Sequence, residues 1–459
     1  MQPTRLAQQT APTVVESGQA LANRRIPDGR PTHNDHRKPG DVTESNWAAN
    51  LDYAATAVHR PVSVEEVQEL VAAHPRVRPL GTRHSFTDIA DSPGGILISL
   101  EDLPADIQVD HDAGTVSVNP GTTYAVLAGR LEEEGLALPN LASLPHISIG
   151  GAIATATHGS GDTNGILATS VAAIEVVRGD GSLTRVDRTS TDLPALAVGL
   201  GAFGVYTRVE LDVEPTYAVA QHIYTNASWE STIEDLDEIM ASAYSVSLLG
   251  DIGASRMRNL WLKHKIGREP RGFPSTIHGG SRIDDTALPH GHSLTRIGGV
   301  PGPWSRRMAH FRPDAPPSAG GDELQTEYFV DRRHGRDAMR VLRSMGDRIS
   351  PHLRAMEIRS LAADDLWLSP AYRRPSLCLG FTWHKHPEAV EALLPEIEAA
   401  LDDFEPRPHW GKLFALGDLA DRFPRLGDFL GLAAAYDTTR TFWNPFMDRL
   451  AGSREVGTR

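Results

Sequence analysis

Apolar positions follow the helical period in some stretches of the chain and the strand period in others. Valine and leucine recur at helical spacing over residues 60–75, with Ser63 before them as an N-cap, so the pattern predicts the first helix there. Similar spacing predicts further helices over 124–140, 335–349 and 387–404. Short β-rich runs predict strands within 76–80, 94–100, 114–121, 171–187, 199–215, 247–252, 257–264, 324–330, 355–362 and 377–385. Residues 267–320, rich in Gly, Pro and His, predict a long loop.

Three segments are unusually rich in small residues: 79–90, 141–166 and 199–205. Small side chains let the backbone approach a ligand closely, and the amides of such loops bind phosphate oxygens. The 79–90 loop is neither a dinucleotide fingerprint nor a Walker A loop. We therefore predict a long, polyanionic cofactor laid against the backbone. Tight turns between packed strands are the alternative interpretation.

The composition is that of a globular protein with an acidic surplus. The 459 residues carry 45 Lys and Arg against 59 Asp and Glu, a net charge of −14, which argues against a nucleic-acid binder. The single cysteine, Cys378, excludes an intrachain disulfide and a cysteine-based metal centre. No histidine pair, such as His290 with His292 or His384 with His386, has convincing ligand spacing, so we predict no metal.

The start of the chain carries no obvious targeting signal. Residues 1–45 have the polar composition of a disordered extension, without the apolar run of a secretory signal. No stretch reaches the roughly 18 apolar residues of a membrane span. We therefore expect a cytoplasmic protein without a membrane partner.

Several longer segments carry a family resemblance: NWAANLDY (46–53), PLGTRHSF (79–86), LPNLASLPHISIGGAIATATHGSG (138–161), LGAFGVYT (200–207), VPGPW (300–304), LQTEY (324–328), EIRSLAAD (357–364), WLSPAY (367–372), FTW (381–383) and RPHWGK (407–412). With them the chain resembles the flavoprotein oxidases of the vanillyl-alcohol-oxidase superfamily. Within that superfamily it is most similar to the alditol (xylitol) oxidases, relatives of the sugar-lactone oxidases. The resemblance runs from about Asn46 to about Leu450.

The resemblance implies an α+β, two-lobed, PCMH-type fold with an antiparallel-sheet substrate domain. The FAD-binding domain would span 46–215 and the substrate domain 216–415, with segment 416–453 returning to the FAD domain. FAD would be attached covalently, through its 8α-methyl group, to His84. Related sequences have Gly before this histidine, whereas this chain has Arg83, whose side chain must be accommodated beside the cofactor.

By the same resemblance, many contacts to FAD fall on the small-residue segments. They are Leu80, Gly81, Thr82, Arg83, His84, Ser85, Ala142, Ser143, Ser148, Gly151, Thr155, Ala156, Thr157, His158, Val205, Tyr206 and His409. Ala142 occupies the position beside the reacting face of the flavin. A small side chain there leaves a path for O2 and favours an oxidase, although simple packing of a crowded turn is the alternative.

The resemblance assigns substrate binding to Ser143, Glu357, Arg359, Thr382 and Lys412, and catalysis to Glu357, Arg359 and Lys412. Glu357 and Arg359 are two residues apart on a predicted strand and therefore share one face. A carboxylate accepts from neighbouring hydroxyls, while Arg359 and Lys412 donate to the reacting oxygen and stabilise its developing charge. An ion pair on a sheet surface is the alternative interpretation.

One position departs from the alditol oxidase pattern. A histidine is expected directly before Phe-Thr-Trp, and this chain has Gly380 there. Loss of that side chain enlarges the pocket or shifts the preferred substrate. His384 lies two residues beyond Thr382 on the same strand face, so it is a candidate to replace the missing imidazole; a solvated strand end is the alternative.

The sequence thus predicts an FAD-dependent oxidase that converts a primary hydroxyl of a polyol, such as xylitol or sorbitol, to the aldehyde, with O2 reduced to H2O2. The alternatives are an aldonolactone oxidase or dehydrogenase, a polyol oxidase with a larger substrate, and a redox-silent carbohydrate-binding flavoprotein. No NAD(P) site is expected, and the partners are the small-molecule substrate and O2. A monomer is compatible with the sequence.

Overall fold

The computed structural model describes residues 44–267, 273–288, 292–315 and 320–453. The predicted disordered extension, 1–45, lies outside these ranges apart from its last two residues. Those two are placed: Glu44 forms ion pairs with Arg60, at 2.9 Å, and with Arg83. The described residues thus include Glu44 and Ser45, before the start of order predicted near Asn46, and two cationic partners hold Glu44 there.

Small sheets dominate the first half of the chain. A three-stranded parallel sheet has the order β1-β3-β2, an antiparallel sheet has the order β4-β5-β9-β7-β8, and β6 pairs with β10. These strands are β1 Ala57–His59, β2 Val77–Leu80, β3 Ile96–Ser99, β4 Gln108–Asp110, β5 Thr115–Val118, β6 Leu136–Ala137, β7 Val171–Val177, β8 Leu183–Asp187, β9 Val205–Asp212 and β10 Glu214–Pro215. The helices of this half are α1 Val64–Ala73, α2 Tyr124–Glu133, α3 Ile149–Ala154 and α4 Leu193–Leu196.

One large sheet dominates the second half. Its order is β14-β15-β11-β13-β12-β18-β19-β17-β20, β16 pairs with β11, and every pair is antiparallel. The strands are β11 Ala218–Thr225, β12 Ser245–Gly250, β13 Asn259–Lys265, β14 Thr276–Ile277, β15 Gly280–Ile283, β16 Gly302–Pro303, β17 Leu324–Asp331, β18 Leu353–Leu361, β19 Ser376–Trp383 and β20 Arg407–Pro408. The helices are α5 Trp229–Glu234, α6 Leu236–Met240, α7 Gly335–Ser344, α8 Gly346–Ile349 and α9 Pro387–Leu401.

The two faces of this large sheet have different partners. Because side chains alternate along a strand, Leu248, Ile358 and Leu379 share one face, and they pack in one apolar cluster with α7 and α9. The opposite face carries polar and charged residues. Helix packing therefore covers one side of the sheet and leaves the other for a site.

The last part of the chain returns to the first half. Helices α10 Leu419–Arg422, α11 Leu426–Tyr436 and α12 Pro445–Gly452 follow the large sheet. Phe429, Phe446 and Leu450 from these helices are buried in the same cluster as Val116 and Val209 of the antiparallel sheet. The last three helices thus share a core with the antiparallel sheet of the first half. The domain boundaries that the resemblance implies stay a prediction.

Most predicted elements are confirmed, with shorter bounds, and a few predictions were wrong. The helix predicted within 124–140 to close at Gly135 ends at Glu133, and Gly135 adopts a φ of +70°, so the predicted glycine end is confirmed. The helix predicted over 335–349 is interrupted at Met345. The loop predicted over 267–320 contains β14, β15 and β16, and β11 was missed. No helix in the described residues is long and apolar enough to cross a membrane.

Candidate active site

A cavity of about 710 Å³ lies between the small-residue loops and the free face of the large sheet. Every sequence-predicted site residue lines it except Ala156 and Val205, which are fully buried elsewhere in the packing. The structure therefore brings the predicted cofactor loops and the predicted substrate residues to one place. The side chains of Ala156 and Val205 fill the apolar cores and do not line the cavity. Their predicted contacts with FAD therefore stay predictions.

Glycines shape the loop side of the cavity. A Cβ atom on Gly81 would lie 2.5 Å from Ser148 Oγ, and one on Gly151 would lie 3.1 Å from it. Ser148 also ties the two loops together, because its Oγ accepts from Thr82 N at 3.3 Å and its N–H donates to Thr82 Oγ1 at 3.2 Å. This side is thus bare backbone and hydroxyls, and it fits a long cofactor laid against main chain.

A second glycine segment reaches the same wall. Residues 199–204 spell G-x-G-x-x-G, with Gly201 and Gly204 in the left-handed region, and both line the cavity. In a nicotinamide-binding unit that motif follows a strand and opens a helix. Here it leads into strand β9 instead. The spacing is therefore not a dinucleotide fingerprint of that kind.

The imidazole of His84 lines the cavity without a hydrogen-bond partner among the described residues. Its imidazole stacks on Trp47, with ring centroids 5.0 Å apart and planes 22° apart. Both ring nitrogens are buried without a hydrogen-bond partner among the described residues. Burial, together with the charge of Lys412, lowers the pKa of His84 to about 4. A neutral, unpartnered imidazole facing the cavity fits attachment to a flavin.

Arg83 shows how the chain tolerates a side chain before that histidine. Its φ is +64°, a conformation that favours glycine. The guanidinium forms an ion pair with Glu44, and the Arg83 carbonyl accepts from Trp47 N at 2.8 Å. Since Trp47 carries the ring that stacks on His84, the departure at position 83 is tied into the same loop.

The sheet side of the cavity is built in rows across neighbouring strands. Glu357 on β18 is in register with Leu249 on β12 and with Gly380 on β19. Gly380 is in turn in register with Glu327 on β17. The next rows contain Arg359 beside Cys378, and Thr382 beside Gln325.

At the centre of this wall is a buried ion-pair network. Glu327 and Arg359 are 7% and 6% exposed, and Arg359 Nη2 donates to Glu327 Oε1 at 2.7 Å. The other oxygen of Glu327 lies 3.3 Å from His158 Nε2 and 4.0 Å from His409 Nε2. Arg359 Nε is 3.8 Å from Glu357 Oε1. One guanidinium thus stands between two carboxylates, so the alternative interpretation, an ion pair on the sheet surface, is wrong for Arg359.

Charge coupling sets the protonation of this network. Burial alone would raise the pKa of Glu327, but Arg359 and Lys412 hold it well below its usual range. Burial opposes ionisation of Glu357 too, and Arg359 and His310 lower its pKa. Burial, in spite of the charge of Glu327, lowers the pKa of His409 to about 3. The wall therefore carries ionised carboxylates beside neutral imidazoles.

Lys412 brings a second cation to the cavity. Its ammonium group donates to Gln325 Oε1 and lies 5.2 Å from the centre of the Phe86 ring. Burial lowers the pKa of Lys412 below its usual value, and the charges of Glu327 and Glu323 offset only part of this effect. Lys412 and Arg359 are thus the two cationic donors among the predicted substrate residues.

One group in this network has the donor types of a metal site. The ligand atoms of His158, Glu327 and Cys378 all lie within 4.8 Å of one another. Arg359 Nη2 lies 2.7 Å from Glu327 and 3.5 Å from His158 Nε2, so a guanidinium already neutralises this carboxylate. We interpret the group as an ion-pair network. His290, which the sequence raised as a metal candidate, lies outside the described residues.

Position 380 is narrow, and His384 does not reach it. A Cβ on Gly380 would lie 3.1 Å from the Glu357 carbonyl oxygen and 3.3 Å from Glu327 Oε1. Glu327 therefore occupies part of the space that a side chain at 380 would need. His384 follows the end of β19, does not line the cavity, and has His386 as a ring neighbour. The hypothesis that His384 replaces the missing imidazole is wrong, and the interpretation as a solvated strand end is confirmed, because the strand ends at Trp383 and His384 is exposed.

Glu327, Gln325 and His310 are among the polar residues of the wall that sequence reasoning missed. The first two carried a signal, since a Gln and a Glu stand two residues apart in the otherwise β-rich run 324–330. His310 carried none, because it lies in the segment predicted to be a loop. Its Nε2 is 3.0 Å from Glu357 Oε1.

Comparisons with known proteins show which families this chain is similar to. A family model described as an FAD binding domain matches residues 55–187, and a model described as D-arabinono-1,4-lactone oxidase matches residues 323–450. The alditol oxidase of Streptomyces sp. (strain IKD472) is 42% identical over 407 residues, covering 88% of this chain and 97% of its own. The chain belongs to the alditol oxidase family. The family resemblance predicted from the motifs is confirmed, and so is FAD as the cofactor.

More distant relatives of this alditol oxidase family member include enzymes that are named for lactones. The L-gulono-1,4-lactone dehydrogenase of Mycobacterium tuberculosis is 28% identical, covering 89% of this chain and 99% of its own. A crystal structure of cholesterol oxidase from B. sterolicum superposes with a TM-score of 0.70 at 16% identity, covering 88% of this chain and 96% of that one. At that identity the likeness shows the fold alone, and the predicted two-lobed α+β fold is confirmed.

Proposed function

We propose that this protein is an FAD-dependent oxidase of polyols, which converts a primary alcohol and O2 to the aldehyde and H2O2. The observation that carries the proposal is the wall formed by Glu357, Arg359 and Lys412, which faces the same cavity as His84 and the glycine loops. A neutral polyol offers only hydroxyl groups, and charged donors and acceptors bind hydroxyls more strongly than neutral ones. The 42% identity to an alditol oxidase supports the same substrate class.

The side chains divide the work between binding and charge stabilisation. Glu357 accepts hydrogen bonds from neighbouring hydroxyls of the substrate. Arg359 and Lys412 donate to the oxygen that becomes the carbonyl, and Thr382 and Ser143 complete the binding wall. FAD, when bound, supplies the acceptor for the hydride and passes the electrons to O2. Glu327 contributes by holding Arg359, whose Nη2 donates to Glu327 Oε1 at 2.7 Å.

We propose that His84 carries the flavin covalently. Its unpartnered ring nitrogens and low pKa support this, because a neutral imidazole is the form that reacts with the 8α carbon. Leu80, Gly81, Thr82, Ser85, Ser148, Gly151, Thr155, Thr157 and Tyr206 would hold the rest of FAD, and His158, His409, Ala142 and Ser143 would line the flavin region. The cytoplasmic location stays a prediction.

An aldonolactone oxidase or dehydrogenase is the second candidate. The match of residues 323–450 to the D-arabinono-1,4-lactone oxidase model favours it, since that range contains Glu357, Arg359 and Lys412. Gly380 also differs from the residue expected in alditol oxidases. A direct comparison of substrates separates the two candidates.

The first experiment is a visible spectrum before and after acid precipitation. Yellow colour in the pellet, lost in His84→Ala, is expected if the flavin is covalent; colour in the supernatant would contradict the attachment while leaving FAD binding intact. Peroxide formation is then compared for xylitol, sorbitol, L-gulono-1,4-lactone and D-arabinono-1,4-lactone. A kcat/KM at least ten times higher for a polyol supports the proposal, and preference for a lactone overturns it. Absence of flavin bleaching by any of them under anaerobic conditions would favour the redox-silent alternative.

A further inference from the structure

His310 reaches the candidate site from the segment that precedes β17. Its backbone N–H donates to the Ser143 carbonyl at 3.1 Å, and its own carbonyl accepts from Thr295 N at 2.9 Å. The imidazole lies against Trp261, with ring centroids 4.3 Å apart. It is 7% exposed, and its Nε2 lies 3.0 Å from Glu357 Oε1. Two backbone hydrogen bonds and one ring contact thus hold His310 beside the carboxylate.

Glu357 has few other side-chain partners; one is the hydroxyl of Ser247, a hydrogen-bonding neighbour that also lowers its pKa. Its register neighbours are Leu249, which is apolar, and Gly380, which has no side chain. Arg359 Nε is 3.8 Å away, and the guanidinium is engaged with Glu327 at 2.7 Å. Among the described residues, His310 therefore makes the shortest ion-pair-range contact that Glu357 has.

The direction of this hydrogen bond follows from chemistry. Arg359 and His310 lower the pKa of Glu357, so its oxygens are ionised and accept hydrogen bonds only. Burial and the neighbouring Lys263 lower the pKa of His310 to about 4, so the imidazole is neutral at neutral pH. The proton of a neutral imidazole in contact with a carboxylate must then be on Nε2.

Lys263 fixes the segment that carries His310. Its ammonium group is buried and donates to the carbonyls of residues 307, 308 and 309, at 2.8, 2.6 and 2.7 Å. Burial lowers the pKa of Lys263 well below its usual range, against the charge of Glu357, and the three carbonyl acceptors match the three N–H bonds of its protonated form. The backbone immediately before His310 is therefore anchored, which limits how far the imidazole can move from Glu357.

We propose that His310 is a positioning residue, which donates from Nε2 to Glu357 and keeps that carboxylate directed at the substrate hydroxyls. The proposal rests on the proposed function, because it concerns how the polyol is bound. Without the imidazole, the 3.8 Å gap between Glu357 and Arg359 would close into a direct ion pair. That movement would withdraw the acceptor from the substrate and would weaken binding rather than slow hydride transfer.

The test compares substitutions that separate the ring from its donor. His310→Phe keeps a ring and removes the N–H, whereas His310→Gln keeps an N–H at a similar distance from the backbone. We expect His310→Phe to raise KM for the best polyol ten- to thirtyfold with kcat within threefold, and His310→Gln to stay within threefold of wild type in both. His384→Ala, outside the cavity, is the matched histidine control and should match wild type. Stopped-flow reduction of the flavin gives the substrate Kd independently of O2.

A double-mutant cycle tests whether His310 acts through Glu357. In a Glu357→Gln background, His310→Phe should change KM less than twofold. An equally large effect in both backgrounds, or an unchanged KM in His310→Phe, overturns the proposal. If His310→Phe does not fold, His310→Asn replaces it, because its shorter amide cannot reach Glu357; equal KM values for the Asn and Gln variants would then overturn it. A wild type that oxidises no polyol would overturn the proposed function, and this inference with it.

Discussion

The two sides of the cavity are built on opposite principles. The loop side, around Gly81, Gly151 and Ser148, is bare backbone with hydroxyls, and added Cβ atoms on its glycines would collide with Ser148. The sheet side places buried charges, chiefly Glu327 and Arg359, within 2.7 Å of each other. In the proposed function, the loop side accommodates the cofactor because side chains are absent there. The sheet side binds the hydroxyl groups of the substrate through fixed charges. Substitutions should therefore fail in different ways on the two sides.

Removing the guanidinium is the strongest way to test the sheet side. Arg359→Met leaves Glu327 and Glu357 without their shared cation, and breaking a buried pair costs about 3–5 kcal/mol of folding free energy. We expect kcat/KM to fall at least a thousandfold, with a lower midpoint of thermal unfolding. Arg359→Lys keeps a charge but loses the fork geometry, so it should recover part of the stability and little of the activity. Retention of activity within tenfold in Arg359→Met would contradict the role of this charge.

A single methyl group tests the loop side. Gly81→Ala would place Cβ 2.5 Å from Ser148 Oγ, so the loop must shift and flavin content should fall at least severalfold. Gly129→Ala is the matched control, because its Cβ meets nothing within 4 Å in helix α2. That control should be stabilised by about 0.5–1 kcal/mol. The ratio of absorbance at the flavin band to that at 280 nm measures the effect, and full flavin content in Gly81→Ala would show that the glycine is not needed.

These contrasts also explain what the sequence could and could not predict. The loop side was predictable because its chemistry is local: segments 79–90 and 141–166 carry the small residues in contiguous runs. That Glu357 and Arg359 share one face of the sheet was predictable for the same reason, since both lie on one strand. Their burial was not, because it depends on which strands pair with β18.

The partners of those residues come from distant parts of the chain. Glu327 meets Arg359 only through the register of β17 on β19 and of β19 on β18. His310 reaches Glu357 through an irregular segment, and periodicity says nothing about such a segment. The sequence left two interpretations open for His384, because one residue of strand length decides whether it shares the face of Thr382.

A change of pH tests the sheet side again. His310 and His409 have pKa values of about 4 and 3, below the ordinary 6.5, chiefly because they are buried. The unfolded chain therefore binds more protons below pH 6.5, so this stability is complete above pH 6.5 and is lost as the pH falls toward 4. Each group costs up to about 1.4 kcal/mol per pH unit in that window. We expect the unfolding midpoint of the holoenzyme to fall by several degrees between pH 7 and pH 5.

A variant sharpens that measurement. His409→Phe removes one of the two groups and should flatten the decline between pH 6.5 and pH 4. An unfolding midpoint that rises on acidification, or a slope that His409→Phe leaves unchanged, would show that these histidines are not held neutral in the folded protein.

The smallest expected effect concerns the residue before His84. Arg83→Ala keeps the φ of +64° and loses the ion pair with Glu44, whereas Arg83→Gly loses the same ion pair and relieves the strain. Left-handed backbone costs a residue with a side chain about 1–2 kcal/mol, partly offset by the larger backbone entropy of glycine. We expect the Gly variant to be more stable than the Ala variant by up to about 1 kcal/mol in urea titrations. Equal stabilities would contradict the strain at this position.

The row arrangement of the large sheet limits how this site can evolve. Glu357, Gly380 and Glu327 belong to three strands but to one row, so an insertion or deletion of one residue inside any of these strands would turn its contribution to the opposite, helix-covered face. Length changes are therefore tolerated only in the connections, and specificity inside the wall can change only by exchange of one side chain for another. A glycine at position 380 is a change of that kind, and it leaves the rest of the row in place.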